Sequence, residues 1–316
     1  MQQTEITIPD TYVSRLNING LRGRVLDIPS KRPSKHGKNI LLVYGHHSSI
    51  ERMYSLASYL STYGTVTMPD LPGFGGMDSF YIINKKPTLD AMAEYLATFI
   101  KLHYRNKPIA ICGMSYGFLV VTRMLQKYPH MHKQVNLLVS LVGFSKKNDF
   151  RFKPATYNTL LYGSRFMSTL PFSFLAKHLF FTKPLIKASY AITAKSHVKM
   201  MDATPEERQK RIDFEVYLWK CNDARTYFAT SLCFLTVNLT TQKIPLALHH
   251  VSVKQDQYFD KAIVLKNLRR IYSKVSAYTA SLPNHAPTVI SDEADAALLI
   301  PQRLKVLLKQ YQKSKV

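Results

Sequence analysis

The feature that most constrains the fold is a short apolar run, residues 108–114, that ends in a serine set between two glycines. The motif Gly113-Met114-Ser115-Tyr116-Gly117 is followed at once by helical spacing. It predicts a buried strand, a sharp reversal at Ser115 and a helix that begins near Tyr116. Small flanking residues relieve the crowding in such a turn, and the first N–H groups of the helix point toward any anion that forms there. Taken alone, the motif also fits an ordinary turn bracketed by glycines.

Strand and helix patterns alternate along most of the chain. The first expected element is a hairpin around Asn19-Gly20, a strong turn signal between two alternating segments. The predicted strands that follow are 40–44, 65–68, 109–114, 135–144, 246–253 and 276–280. The predicted helices are 50–63, one that starts at Thr88, 118–128, 260–272 and 291–310. This alternation indicates the α/β class, with a mostly parallel, twisted sheet flanked by helices on both faces.

The alternation stops between residues 145 and 243, where helix-like, aromatic and basic segments occur without a clear strand. We therefore expect a first core segment (1–144), a helical insertion (145–243) and a second core segment (244–316). An insertion at this point would lie over one end of the sheet, as a cap or lid. It could equally be a stabilising subdomain without a gating role. The side chains that this alternative places in a core are Met167, Phe172, Phe174, Phe180 and Phe181.

Composition narrows the class of protein. The chain has 316 residues, 46% of them hydrophobic and 20% charged, which is typical of a globular protein. Its three cysteines have neither CxxC nor Cys/His spacing, so we expect reduced thiols, a cytoplasmic location, no metal and no cofactor. The N-terminus lacks the basic start and apolar core of a signal peptide. No stretch reaches about 18 uninterrupted apolar residues, so membrane spanning is not expected.

The formal net charge of +23 raises the question of a nucleic-acid partner. The three segments carry 16, 16 and 11 Lys and Arg against 8, 7 and 5 Asp and Glu. Because the excess is spread over all three, we interpret it as a solvated surface and expect no nucleic-acid partner. Stable membrane insertion is not expected, but weak association with an anionic surface remains open. The sequence makes no prediction of the oligomeric state.

Three residues with complementary chemistry follow predicted strands: Ser115, Asp256 and His285. Because the carboxyl ends of parallel strands meet at one edge of a sheet, the fold would bring the three side chains together. Asp149 and Asp260 are the rival acids. Asp256 is favoured because Asp149 follows the preceding strand and Asp260 falls inside a predicted helix.

The chain resembles the α/β-hydrolases over essentially its whole length. The pieces that carry the resemblance are the Gly113–Gly117 motif, the loop Asp70-Leu71-Pro72-Gly73-Phe74-Gly75, Asp256 after its strand, and His285 in Asn284-His285-Ala286-Pro287. The order Ser, Asp, His is also that of the family. The resemblance implies the α/β-hydrolase fold with an inserted helical cap.

The roles of the three residues follow from the chemistry of a serine nucleophile, which needs a neighbouring base. His285 would take the proton of Ser115, and Asp256 would orient the imidazole. The family places one oxyanion donor at the residue after the nucleophile and another in the loop after the third strand. The resemblance therefore assigns the N–H groups of Tyr116 and His46 to the oxyanion hole.

Departures from the family pattern refine these expectations. Many relatives have His-Gly where this chain has Tyr44-Gly45, and His46-His47 is unusual, so a loop whose histidines only form local hydrogen bonds is an alternative. Asp70 is interpreted as a turn former that bonds the backbone of its Pro-Gly loop.

The serine at position 115 argues against haloalkane dehalogenases and epoxide hydrolases, which have an aspartate there. We expect a serine hydrolase that cleaves a carboxylic ester, with a small-molecule substrate and an apolar acyl group. The alternatives are a carbon–carbon bond hydrolase of the same fold and a catalytically weak ligand-binding or signalling protein.

Overall fold

The computed structural model describes residues 8–33, 37–193, 204–282, 285 and 292–314. Its centre is an eight-stranded sheet with the strand order β1-β2-β4-β3-β5-β6-β7-β8. The strands are β1 Val13–Ile18, β2 Leu21–Ile28, β3 Asn39–Val43, β4 Thr65–Pro69, β5 Ile109–Met114, β6 Val135–Leu141, β7 Ile244–Val253 and β8 Tyr272–Ala280. All pairs from β4 to β8 are parallel, whereas β2 is antiparallel to both β1 and β4. The predicted mostly parallel α/β sheet is confirmed.

Helices connect the parallel strands and fill the interval between β6 and β7. They are α1 Ile50–Leu60, α2 Leu89–Tyr104, α3 Tyr116–Lys127, α4 Pro154–Met167, α5 Leu170–Leu175, α6 Lys183–Thr193, α7 Pro205–Cys221, α8 Ala224–Thr236, α9 Lys261–Ile271, α10 Glu293–Ala297 and α11 Gln302–Lys313. A short π-helix, Ala176–Phe180, extends α5. Within the described ranges, none of these helices is long and apolar enough to cross a membrane.

The order of the strands places helices on both faces of the sheet. The connection from β3 to β4 runs in one direction along the sheet, and the connection from β4 to β5 returns past β3 in the other. Because such crossovers are right-handed, α1 and α2 must cover opposite faces. The connection from β5 to β6 continues in the second direction, so α3 joins α2, and these two helices pack together. All six residues of β5 are buried between the two layers.

Local sequence signals explain most element boundaries. Asn19 (φ 53°) and Gly20 (φ 84°) both adopt the left-handed conformation that a two-residue hairpin turn requires. Thr88 caps α2, since its side chain accepts a hydrogen bond from the Ala91 N–H. Asp260 caps α9 in the same way, through the N–H groups of Ala262 and Ile263.

Several predicted boundaries differ from the structure, among them that of the helix expected at 50–63, which ends at Leu60. The strand expected at 135–144 ends at Leu141, because Val142 has a φ of 48° and turns the chain out of the sheet. The strand expected at 276–280 begins earlier, at Tyr272, directly after α9. The helix expected at 291–310 is interrupted before Pro301 into α10 and α11, since the residue that precedes a proline disfavours helical geometry. Residue 291 itself lies outside the described residues.

Between residues 145 and 243, the described part of the chain contains helices and no strand. Three of the side chains that the stabilising-core alternative would bury are instead exposed. The exposed fraction is 37% for Phe172, 61% for Phe174 and 61% for Phe180. These aromatic rings therefore do not form a core within the insertion.

Candidate active site

Ser115 occupies a strained turn between β5 and α3. Its backbone has φ 49° and ψ −118°, a conformation that costs a non-glycine residue on the order of 1–3 kcal/mol. Two contacts hold it there: the Ser115 N–H donates to the Leu141 carbonyl on β6 (2.9 Å), and the Ser115 carbonyl accepts the Phe118 N–H (3.1 Å). The sharp strand-to-helix reversal predicted from the sequence is confirmed.

The two glycines that flank Ser115 are required by close backbone contacts. A Cβ at position 113 would lie 2.7 Å from the Cα of Phe118, and a Cβ at position 117 would overlap the carbonyl oxygens of Val43 and Tyr44. Gly113 therefore lets α3 pack directly on β5, and Gly117 lets α3 pack against the end of β3. This contact fixes the loop after β3 beside the serine.

His285 and Asp256 form a hydrogen-bonded chain with Ser115. His285 Nε2 lies 3.0 Å from Ser115 Oγ, and His285 Nδ1 lies 2.9 Å from Asp256 Oδ2. The other carboxylate oxygen of Asp256 accepts the N–H groups of Tyr258 (2.9 Å) and Phe259 (3.2 Å). The three side chains come from the ends of β5, β7 and β8, where the sequence placed them. Asn284, Ala286 and Pro287, which flank His285, lie outside the described residues.

The environment of Asp256 keeps its carboxylate ionised. Burial by itself would raise the pKa of Asp256, but the hydrogen bond from His285 and the two backbone N–H groups outweigh burial and lower it below its usual range. The ionised carboxylate of Asp256 accepts a hydrogen bond from Nδ1–H of His285. Nε2 is then the basic nitrogen of the neutral ring, and it faces the hydroxyl of Ser115.

The rival acids have structural roles. The carboxylate of Asp149 is fully buried and accepts the N–H groups of Ser145 (2.7 Å) and Lys146 (2.9 Å) and the amide of Asn267 (2.6 Å). It stabilises the start of the insertion against α9. Asp260 caps α9, as described above. The structure brings Asp256, and neither of its rivals, to His285.

His46 does more than form local hydrogen bonds. Its Nε2–H donates toward the Tyr227 carbonyl (3.1 Å) and the Thr230 hydroxyl (2.9 Å), both on α8 of the insertion. Burial lowers the pKa of His46 to about 4, although the bond to the Tyr227 carbonyl opposes this shift. The ring is therefore neutral at pH 7, and ionisation of His46 does not produce a pH dependence near neutrality. Its side chain anchors the loop whose backbone runs beside Ser115.

Gly45 brings that loop against the serine. A Cβ at position 45 would lie 3.4 Å from Ser115 Cβ and 3.9 Å from Ser115 Oγ. The next peptide N–H along the chain is that of His46, and the first N–H of α3 is that of Tyr116. The Tyr116 N–H is in the first turn of α3, where an N–H group has no carbonyl acceptor within the helix. The His46 N–H belongs to the loop after β3 and not to α3.

Asp70 is a buried structural residue, and its contacts differ from those expected. Its carboxylate accepts hydrogen bonds from the Tyr44 hydroxyl (2.9 Å) and Arg24 Nε (3.0 Å), rather than from the backbone of its own loop. The same Tyr44 hydroxyl accepts the Leu71 N–H (2.7 Å). Burial raises the pKa of Asp70 above its usual range, against the opposing effect of Arg24. Tyr44 thus fixes the 70–75 loop.

The junction between α7 and α8 links the insertion to both loops beside the site. The Asn222 side chain accepts the Gly75 N–H (2.8 Å), and its amide nitrogen lies 3.1 Å from His47 Nδ1. The Asp223 N–H donates to the Gly73 carbonyl (2.8 Å). Sequence reasoning missed Asn222 and Thr230. They lie about 175 and 184 positions from their histidine partners, and no local pattern marks them.

The described residues contain no group of three or more His, Cys, Asp or Glu side chains that could hold a metal ion. The three cysteines are unpaired, and Cys112 is buried in β5.

The sequence matches no family model and no curated protein. Solved structures do match the fold. An enol-lactonase from Burkholderia xenovorans LB400 has a TM-score of 0.65 at 12% identity and covers 94% of this chain and 100% of its own. An esterase from Exiguobacterium antarcticum has a TM-score of 0.64 at 14% identity, over 92% and 97%. A deformylase from Pseudomonas putida S16 has a TM-score of 0.60 at 18% identity, over 86% and 94%.

These enzymes carry different names, and their sequences are distant from this one, so the similarity establishes the architecture and not the reaction. The chain has the α/β-hydrolase fold.

Proposed function

We propose that the protein is a serine hydrolase that cleaves a carboxylic ester through Ser115, His285 and Asp256. The observation that carries the proposal is the chain of two hydrogen bonds, 3.0 Å from Ser115 to His285 and 2.9 Å from His285 to Asp256. These distances fall within the range over which a base can remove the proton of a nucleophile. The strained backbone of Ser115 supports the same role.

In the first half of the reaction, Ser115 Oγ attacks the carbonyl carbon of the ester. Its proton moves to His285 Nε2, and the carbonyl oxygen becomes an oxyanion. Asp256 stabilises the imidazolium that forms. When the tetrahedral intermediate collapses, the bond to the alcohol oxygen breaks and Nε2 returns the proton to that oxygen. The products of this half are the free alcohol and an acyl group on Ser115.

In the second half, His285 acts on water in place of the serine hydroxyl. Nε2 takes a proton from the water as its oxygen attacks the acyl carbon. Collapse of the second intermediate expels Ser115 Oγ, which regains a proton from Nε2. The carboxylic acid leaves, and the site returns to its initial protonation state.

For the oxyanion, we assign the N–H groups of Tyr116 and His46. The positive end of α3 supports the first assignment, and the contact of Gly45 with Ser115 supports the second. The hydrogen bonds of the His46 ring to α8 would hold its peptide group in place. Donors fixed in advance stabilise a developing negative charge without a cost of reorganisation during the reaction.

The side chains around His46 favour an apolar acyl group. The rings of Phe74, Tyr116, Tyr227 and Phe234 all contact the His46 ring, with centroids 4.5–5.6 Å away. Two of them, Tyr227 and Phe234, belong to the insertion. We therefore propose that the insertion acts as a cap whose α8 lines the acyl site and controls access to it.

Hydrolysis of p-nitrophenyl esters from short to long acyl chains tests the proposal. The Ser115→Ala variant should lose at least about 10³-fold in kcat/KM, because the remaining site can only stabilise the oxyanion. Ser14→Ala, an exposed serine on β1, is the matched control and should behave as the unmodified protein. If Ser115→Ala retains most of the activity, the proposal is wrong.

A further inference from the structure

The outer surface of the insertion exposes large apolar side chains at an unusual density. Ten side chains between residues 160 and 185 are 37–63% exposed, and they include five aromatic rings. Patches of this kind mark interaction surfaces, because isolated exposed apolar residues are normal but a concentration of them is not. We refer to this set as the apolar face. Its members are Leu160, Tyr162, Phe166, Leu170, Phe172, Phe174, Leu175, Leu179, Phe180 and Leu185.

The helices that carry the apolar face have an inverted burial pattern. Their buried residues are small: Ser164 in α4, Ser173 in α5 and Ala176 in the π-helix. A helix on the surface of a globular protein normally buries its large apolar residues and exposes its polar ones. Here the small residues face the protein and the large apolar ones face outward. Such a pattern suits helices that lie at an apolar boundary on their outer side.

The same stretch is basic and contains no acidic residue. From residue 150 to 201 the sequence has eight Lys and Arg and no Asp or Glu. Counts over the whole insertion conceal this, because its seven acidic residues all lie at position 149 or beyond 201. Arg165, Lys177 and Lys183 are exposed among the members of the apolar face. The positive charge is therefore spread evenly over the three segments but not within the insertion, where residues 150–201 carry only basic charges.

We propose that the apolar face docks the protein onto an anionic phospholipid surface, with α4, α5, the π-helix and the start of α6 lying in the plane of the interface. Rings and aliphatic side chains would enter the boundary between headgroups and acyl chains, and the interspersed cations would bind the phosphates. A nucleic acid would use the cations and leave ten apolar side chains unexplained. Two copies meeting through this face would bring cations together without an acidic partner.

The apolar face is connected to the candidate active site through one layer of helices. Helices α4 and α5 both pack on α8. The Tyr157 hydroxyl on α4 donates to the Leu235 carbonyl (2.6 Å), and Arg225 Nε donates to the Ser168 carbonyl (3.2 Å). On its other side α8 accepts the hydrogen bonds of His46. A docked protein would therefore hold its candidate active site one helical layer above the lipid.

Sedimentation with lipid vesicles tests the proposal. The full chain should bind phosphatidylcholine vesicles that contain phosphatidylglycerol, bind pure phosphatidylcholine vesicles more weakly, and lose binding as salt is raised. The apolar variant Leu170→Ser/Phe174→Ser/Phe180→Ser should bind at least about tenfold more weakly, because each side chain contributes through its burial in the interface. The charge variant Arg165→Gln/Lys177→Gln/Lys183→Gln should lose the preference for phosphatidylglycerol.

The matched control is Ile82→Ser/Leu102→Ser/Val306→Ser, which removes three exposed apolar side chains outside the insertion. It should bind vesicles like the unmodified chain. Two results would overturn the proposal: no binding to phosphatidylglycerol vesicles at low salt, or equal binding by the apolar variant. A third contradicting result would come from light scattering. A dimer that is lost in the apolar variant and kept in the control would show that the apolar face binds a second copy of the chain.

The docking proposal and the ester-hydrolysis proposal can be contradicted independently of each other. Binding is measured without turnover, so Ser115→Ala should sediment with vesicles like the unmodified protein. A chain that binds vesicles and does not hydrolyse esters would support the docking surface and contradict the proposed reaction. The reverse result would contradict the docking surface alone.

Discussion

The sequence identified some residues of the candidate active site and missed others. Ser115 stands in a motif that describes its own backbone turn, and the structure shows that turn. Asp256 and Asp149 both follow strands, and the sequence favoured Asp256 only by which strand it follows. In the structure, Asp149 binds Asn267 on α9, whereas Asp256 binds His285. The partner of His46 on α8, Thr230, has no local signal at all, because a hydrogen bond across 184 positions depends on how the insertion folds back.

The two aspartates make a paired test. Asp256→Asn should lower kcat about 10³- to 10⁴-fold with little effect on stability, because an amide at position 256 favours the wrong tautomer of His285. Asp149→Asn should lower the free energy of unfolding by about 2–4 kcal/mol, since the amide cannot accept all three buried hydrogen bonds. Kinetics on p-nitrophenyl esters and urea denaturation measure the two effects.

Each aspartate variant serves as the control for the other. We expect Asp256→Asn to lose activity while the protein stays stable. We expect Asp149→Asn to lose stability while its folded fraction keeps most of the activity. The reverse pattern would assign the orienting role to Asp149 and contradict the geometry.

Helices, strands and turns were predicted correctly where the residues that determine them are close together in the sequence. The hairpin turn at Asn19-Gly20 and the cap at Thr88 depend on residues next to each other, and both stand as predicted. The parallel strands β3 and β5 were found because they are buried almost throughout and consist almost entirely of apolar residues. The end of β6 was misplaced because Val142 is itself apolar, and only its backbone angle takes it out of the strand.

The insertion shows why burial is harder to predict than the type of element. Apolar residues were expected either to form a core or to line a lid. In the structure, Ser164, Ser173 and Ala176 face inward, and the large side chains face out. Periodicity identifies the faces of a helix but does not say which of them meets the protein.

At the scale of the whole molecule, a buried histidine makes stability depend on pH. His250 on β7 is 3% exposed, its Nδ1 lies 3.0 Å from the Ser140 hydroxyl, and burial lowers its pKa to about 4. In the unfolded chain a histidine has a pKa of about 6.5. Between these values the unfolded chain binds a proton that the folded chain does not bind, so stability falls as the pH falls.

Replacement of His250 should remove this dependence. The unmodified protein should lose roughly 3 kcal/mol more stability than His250→Asn between pH 6.5 and pH 4, because about 2.5 pKa units separate the two states. Urea denaturation at a series of pH values measures the difference. Curves of the same shape for the two proteins would show that His250 does not carry the effect.

The central claim is that Ser115 is the nucleophile, activated by His285. The most direct measurement is to treat the protein with a fluorophosphonate and to locate the adduct by mass spectrometry of its peptides. We predict one adduct, on Ser115, that disappears in Ser115→Ala and forms much more slowly in His285→Ala. An adduct on another residue, or one that persists in Ser115→Ala, would contradict it.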